Sequence, residues 1–329
     1  MKVLCVKVSK EKAENVLDFL VKHGYLDKSK KVERDTWFVY FPVVCAVPEL
    51  ETVEMNCMER EKFVPFNEIA KKLDIEKEKL PHKWEKFGNV VVLKIPECLN
   101  AKKEEIGKVY AEVLGAKTVV ADRCGIYGEF RKPGFEVIYG TETVTLHKEA
   151  GVRFKFDVLK QMYSSGNIFE RGRLISVVQP GEVIVDMFAG IGYFSIPIAM
   201  KTGVAKIYAC EKNPEAFEFL CENIKQNKVE KKVIPLLGDC RDVAPANVAD
   251  RVLMGYLKET HKFLPHALRC LKEGKGIIHY HDVVKSERFP EEMLERIKAN
   301  VPRFEVILAR VVKSYAPKTV HGVVDLRVL

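Results

Sequence analysis

Apolar and polar residues alternate over Met1-Lys2-Val3-Leu4-Cys5-Val6-Lys7-Val8, which predicts a half-buried strand and lacks the long apolar run of a signal peptide. A helix opening at Ser9 and stopping near Gly24 follows, then a strand over Thr36-Trp37-Phe38-Val39-Tyr40-Phe41-Pro42-Val43. Residues 1–60 thus read as a small α+β domain. A lysine-rich passage at 67–86 leads to the strand Val90-Val91-Val92-Leu93-Lys94-Ile95, and Asn100 is placed to cap a helix ending near Gly115. A strand over 117–121 and a hairpin of 142–147 with 152–157 about Gly151 complete a second α+β domain, 61–165.

Beyond residue 166 helix and strand signals alternate. Strands over 183–186, 205–211, 233–238 and 277–281 imply a mainly parallel sheet with right-handed crossovers. Two final strands, 304–313 and 320–329, join through a short turn at Pro317 and should form an antiparallel edge hairpin. No internal repeat or low-complexity tract is present.

The first of these strands ends in Asp186-Met187-Phe188-Ala189-Gly190-Ile191-Gly192, a glycine turn entering an apolar helix. Gly190 and Gly192 let the backbone approach a ligand, and Asp186 supplies an acceptor expected to point into the same crevice. A dinucleotide fingerprint would need a third glycine where Ser195 stands. The next two strands end in Glu211, suited to ribose hydroxyls, and in Asp239-Cys240, suited to adenine. Three acidic residues at successive strand ends favour S-adenosylmethionine (AdoMet) over a dinucleotide, and a class I AdoMet-dependent, Rossmann-like methyltransferase fold over 166–329.

Composition adds little. A net charge of +8 over 329 residues permits an acidic partner without requiring one. Nine cysteines, none in a Cys-x-x-Cys pair, suit a reducing cytoplasm and offer no zinc spacing. No run of about 18 apolar residues offers a membrane span.

With the glycine turn placed, further motifs stand out: Arg131-Lys132-Pro133-Gly134-Phe135-Glu136, Met162-Tyr163-Ser164-Ser165-Gly166-Asn167-Ile168-Phe169-Glu170-Arg171, Glu211-Lys212-Asn213-Pro214, Asp239-Cys240-Arg241-Asp242, Met254-Gly255-Tyr256, His279-Tyr280-His281 and Tyr315-Ala316-Pro317. From about residue 80 onward the chain resembles the tRNA wybutosine-synthesising aminocarboxypropyltransferases, relatives of the tRNA guanine-N1 methyltransferases. The resemblance implies transfer of the 3-amino-3-carboxypropyl group of AdoMet to C7 of 4-demethylwyosine in tRNA(Phe), next to the anticodon, with 5′-methylthioadenosine as by-product. It also implies that Ser164 and Arg171 contact the methionine portion, and that Glu211, Asp239 and Cys240 hold ribose and adenine. Tyr163, Tyr193 or Phe194 could face the sulfonium.

Two departures separate this chain from the guanine-N1 methyltransferases. Met254-Gly255-Tyr256 stands where those enzymes carry an Asn-Leu-Pro-type motif, and Pro133 where a functional arginine is expected. A third points the other way, since the first sixty residues resemble the small domain with which those methyltransferases grip the tRNA elbow, a role that Lys7, Lys10, Lys12 and Lys22 could serve. Ser165 replaces a proline common in that loop. Glu170, His279, His281 and Asp282 are the acid–base candidates, and Arg123, Arg131, Lys132, Lys313 and Lys318 the candidates for tRNA phosphates. A tRNA guanine-N1 methyltransferase, or an AdoMet-bound RNA-binding protein without catalysis, are the alternative readings.

Overall fold

The structure, a computed structural model, describes residues 2–59, 64–257 and 259–329. Met1 and the expected domain boundary at 60/61 fall outside the described residues. The chain forms two compact units, Met1–Glu68 and Ile69–Leu329.

In the first unit the strand Lys2–Ser9 pairs antiparallel with Phe38–Pro42 on one side and Thr52–Asn56 on the other. The helix Ala13–Lys22 buries Leu20 against Val6, Val39 and Phe41. It opens at Ala13 rather than at the Ser9 signal, because a three-residue 3-10 turn, Lys10–Lys12, intervenes and the Ser9 side chain caps nothing. Thr36 and Trp37 likewise precede their strand: Asp35 accepts the backbone N–H of Trp37 at 2.7 Å, which makes a turn of this stretch.

The second unit contains β1 (Val183–Asp186), β2 (Lys206–Glu211), β3 (Val233–Leu237), β4 (Arg251–Met254), β5 (Gly276–Lys285), β6 (Phe304–Ala316) and β7 (Thr319–Val328), in the spatial order β3-β2-β1-β4-β5-β7-β6. β1 to β5 are parallel, and β7 runs antiparallel between β5 and the edge strand β6. Ile184, Val185, Ile207, Ala209, Val252 and Ile278 are fully buried, as apolar strands covered on both faces require. Strand order reverses about β1, which opens a crevice beyond its carboxyl end. Along β6 the register slips at Val306/Leu308, Val311/Lys313 and Ser314/Ala316, so this edge is bulged three times.

A second sheet joins Trp84–Phe87, Val90–Leu93, Thr118–Tyr127 and Lys132–Tyr139, with the helix Lys103–Leu114 packed on it. Asn100 does not cap that helix: it lies in a preceding 3-10 segment, and its Oδ1 accepts from Arg123 at 2.7 Å. The hairpin Val144–Glu149 and Val152–Asp157 turns at Ala150-Gly151 as predicted.

The expected 165/166 boundary falls inside the compact unit Ile69–Leu329. The hairpin is clamped to the helix Pro214–Gln226 by Asn223, whose Oδ1 accepts from the Lys155 amide at 2.7 Å while its Nδ2 donates to the Lys155 and Ile191 carbonyls at 3.0 and 3.2 Å. Among the described residues no helix is long and apolar enough to cross a membrane. Asn223 is wholly buried, so Asn223→Ala, which orphans three backbone groups, should lower stability by about 3 kcal/mol in urea denaturation.

Candidate functional site

A cleft of about 250 Å³ opens beyond the carboxyl ends of β1 to β4. It is walled by the loops after these strands, residues 129–131 of the second sheet, the stretch from Gln161 to Arg171, and Lys313 and Tyr315 of β6.

Gly190 and Gly192 adopt φ of 58° and 96°, open to glycine at little cost. A Cβ at Gly192 would stand 2.4 Å from Ile196 Cδ1 and 3.2 Å from Leu220 Cδ1. Gly192 therefore serves helix packing, and of the two glycines Gly190 lines the cleft. Glu211 ties this loop down, since its Oε2 accepts from the Gly190 amide and its Oε1 from the Asn213 amide, both at 2.7 Å. Burial raises its pKa against those hydrogen bonds.

Asp186 departs from expectation. Its carboxylate is turned inward, where Ser195 donates to Oδ2 at 2.6 Å and the Phe188 amide to Oδ1 at 3.3 Å, and it is not part of the cleft wall. Burial pushes its pKa up to about 6 against these bonds. Asp186 shapes the loop from behind.

At the end of β3, Asp239 caps the short helix Cys240–Val243 and holds Arg241 through Nε and Nη2 at 2.9 and 2.8 Å, contacts that keep its pKa low. Burial pushes the Cys240 thiol up to about 12, so this residue is a neutral wall rather than a nucleophile. Phe188 stacks on Tyr256 with centroids 5.0 Å apart, and Phe263 meets both rings edge-on. Lys212 reaches across to Glu129 at 2.7 Å, tying the 128–131 turn to the end of β2.

On the opposite wall Arg171 is already engaged. Its Nε and Nη2 donate to the two Glu149 oxygens at 2.6 Å each, and Nη1 and Nη2 donate to the Ser164 carbonyl at 3.1 and 3.2 Å. Ser164 Oγ in turn accepts from Lys313 Nζ at 2.8 Å. Tyr193 and Phe194 line the cleft, whereas Tyr163 is packed among Phe87, Phe154 and Phe156 behind it.

None of the four acid–base candidates lines the cleft. Glu170 is fully buried and bound by Arg173 at 2.6 Å. His279 accepts from Arg251 at Nε2 and donates from Nδ1 to Asp325, both at 2.6 Å, an arrangement that fixes it neutral. His281 pairs with His321 at 3.0 Å and lies 3.6 Å from Glu170, while Asp282 accepts from Tyr280 and Arg296. Glu182, Arg251, His279, Asp325, Arg173 and Glu170 thus form one continuous buried chain of charged and polar groups. The alternation of His279 and His281 about Tyr280 marks one shared strand face, but that face looks into this chain. Sequence reading missed Glu149, which carries no motif of its own and becomes meaningful only where the hairpin meets Arg171.

Of the phosphate candidates, Arg123 is paired with Glu136 at 2.7 Å and Lys132 with Glu215 at 3.4 Å. Arg131 and Lys313 line the cleft, and Lys318 is exposed on the turn between β6 and β7. Among the described residues no group of three or more His, Cys, Asp and Glu could hold a metal.

Comparison with known proteins places these features. Models of the TRM5/TYW2 methyltransferase domain, the TYW2 N-terminal domain and the tRNA methyltransferase 5 N-terminal domain match residues 145–308, 67–143 and 5–51. The tRNA(Phe) (4-demethylwyosine(37)-C(7)) aminocarboxypropyltransferase of Pyrococcus horikoshii is 45% identical over 265 residues, 79% of this chain and 94% of that protein. The tRNA (guanine(37)-N(1))-methyltransferase Trm5b of Pyrococcus abyssi is 37% identical over 333 residues, 99% of both chains. The crystal structure of P. horikoshii TYW2 in complex with MeSAdo superposes with a TM-score of 0.72 at 40% identity, covering 80% of this chain and 97% of that one.

Burial drives His281 down to about 3 and His321 to about 2, whereas a free histidine titrates near 6.5. The unfolded chain therefore binds more protons between these values, and stability should fall as pH drops below about 6.5, by up to about 1.4 kcal/mol per pH unit for each ring. A thermal-melting series from about pH 7 to 4 checks this, and His281→Gln should flatten it.

Proposed function

Since this chain belongs to the TRM5/TYW2 family, we propose that it transfers the 3-amino-3-carboxypropyl group of AdoMet to C7 of 4-demethylwyosine in tRNA(Phe), releasing 5′-methylthioadenosine. The observation that carries the choice between the family's two reactions is the end of β4. Gly255 and Tyr256 line the cleft there and Met254 is buried, so no side-chain amide stands at this position to hold the edge of a guanine during N1 methylation.

AdoMet, when bound, supplies a sulfonium whose attached carbons are all activated, so the group that moves is decided by the carbon held in line with the nucleophile. The cleft fits it. Glu211 is the acceptor for ribose hydroxyls, Asp239 and the neutral Cys240 form the adenine edge, and the Gly190 backbone leaves room for close approach. Asp186 and Gly192 keep that loop in shape, and Ser164 and Arg171 border the amino-acid end. Tyr193 and Phe194 present aromatic surface to the cationic sulfur. The flat Phe188–Tyr256 stack suits a planar base beside it.

Glu170, His279 and His281 are assigned no proton transfer, because all three are enclosed in the buried chain. Loss of the C7 proton needs no such group: attack by C7 leaves the ring cationic, and water at the cleft mouth can accept the proton. Recognition of tRNA is assigned to the exposed cations Lys10, Lys12 and Lys22 of the first unit and Lys318 of the second, and the setting is the cytoplasm.

Mass spectrometry after incubation with AdoMet and tRNA(Phe) carrying 4-demethylwyosine should detect 5′-methylthioadenosine and the matching mass gain on the base. S-adenosylhomocysteine would instead establish methyl transfer, and intact AdoMet a binding protein without catalysis.

A further inference from the structure

Along Lys2–Ser9 the side chains of Leu4, Val6 and Val8 meet the core beneath the helix Ala13–Lys22, so Cys5, out of phase with them, falls on the opposite face of the sheet. Antiparallel sheets commonly leave that second face to water, yet Cys5 has no exposed surface. Its cover includes Cys57, the first residue after the strand Thr52–Asn56, whose Sγ stands 3.3 Å from Cys5 Sγ.

Backbone pairing fixes both sides of this contact. Cys5 lies opposite Pro42 on one neighbouring strand and Val53 on the other. Cys57 is flanked by Asn56, opposite Lys2, and by Met58, whose carbonyl accepts from the Lys31 amide at 2.8 Å. One residue further, Glu59 forms an ion pair with Lys30. From 3.3 Å, the two sulfurs need to approach by only about 1.3 Å to reach the bond length of a disulfide, about 2.0 Å.

We propose that Cys5 and Cys57 are a modification site, a thiol pair that small-molecule disulfides oxidise to a cross-link stapling the first unit. The two residues are 52 positions apart, so the link would close a loop holding the helix Ala13–Lys22 and the strand Phe38–Pro42. A unit of this size has a modest core, and a link across so long a loop removes many conformations from its opened chain. In a reducing cytoplasm the pair rests as thiols, and the staple forms under oxidation.

The two sulfurs take different parts. Cys57 is partly exposed and Cys5 is not, so the Cys57 thiolate attacks one sulfur of the reagent disulfide. The reagent S–S bond breaks, and the small thiolate that leaves takes up the Cys57 proton. Cys5 then attacks Cys57 Sγ and expels the second small thiolate, which takes up the Cys5 proton. Two electrons pass from the cysteine pair to the reagent, which becomes two thiols. Burial, and then the neighbouring Cys57 thiol, push Cys5 up to about 12. A reductant attacking Cys57 would have to expel this poor leaving group, so the closed staple opens slowly.

Full-length protein, reduced and then incubated with glutathione disulfide, tests this by mass spectrometry of its unreduced peptides. Cys5 and Cys57 should be recovered joined in one peptide pair. Hydrogen exchange should then be at least about tenfold slower at the amides of Lys2–Ser9 and Phe38–Pro42, unchanged in Ile69–Leu329, and restored by dithiothreitol. Cys57→Ser should show neither the link nor the slowing. Glutathione retained on Cys57 with Cys5 still free, or neither residue oxidised, overturns the pair, whatever happens at the exposed Cys45, Cys98 and Cys124. A link without slower exchange overturns the staple, and slowing that persists in Cys57→Ser overturns its assignment to these two residues.

Discussion

The two-point pairing of Arg171 with Glu149 is the interaction on which the site depends. Arg171 is almost wholly buried, so its charge is tolerable only because both carboxylate oxygens and the Ser164 carbonyl meet it. Glu149 sits at the end of a hairpin strand, Arg171 in the helix that follows the cleft-lining stretch, and Ser164 in the turn between. One ion pair therefore fixes three separate pieces of chain. Truncating either partner would leave the other charge stranded in a medium that cannot solvate it.

Behind that wall the buried chain from Glu182 to Glu170 works in the same way on a larger scale. Arg173 and Glu170 belong to the helix that carries Arg171, while Arg251, His279 and Asp325 belong to β4, β5 and β7. Each member is satisfied by its neighbours, so the helix is held in one rotational setting against the sheet. An apolar contact of the same area would be less selective between neighbouring settings, because dispersion forces lack direction.

The sheet, the glycine turn and the acidic strand ends were legible because each follows a local rule: apolar runs for strands buried on both faces, glycine for positive φ, carboxylates at strand termini. Glu211, Asp239 and Gly190 accordingly stand at the cleft. The histidines were misplaced for an equally physical reason. Alternation along a strand says that His279 and His281 share a face but is silent on which face, and only the packing of the helix Ile168–Val177 decides it. Asp186 was misdirected likewise, since Ser195, nine residues on, captures its carboxylate. What pairs with what across 22 residues of chain, as Glu149 does with Arg171, is a tertiary fact with no local signature.

The three slips along β6 have a consequence beyond the cleft wall, to which this strand gives Lys313 and Tyr315. This strand is one of the two edges of the sheet and exposes Val306, Ile307 and Val311 by nearly half each, the composition of a segment that would readily accept a partner strand from another molecule. A straight edge would offer an unbroken row of amides and carbonyls for that purpose. Interrupted three times within Phe304–Ala316, it offers no long flat stretch, and the irregularity that serves the cleft also protects the protein from edge-to-edge aggregation.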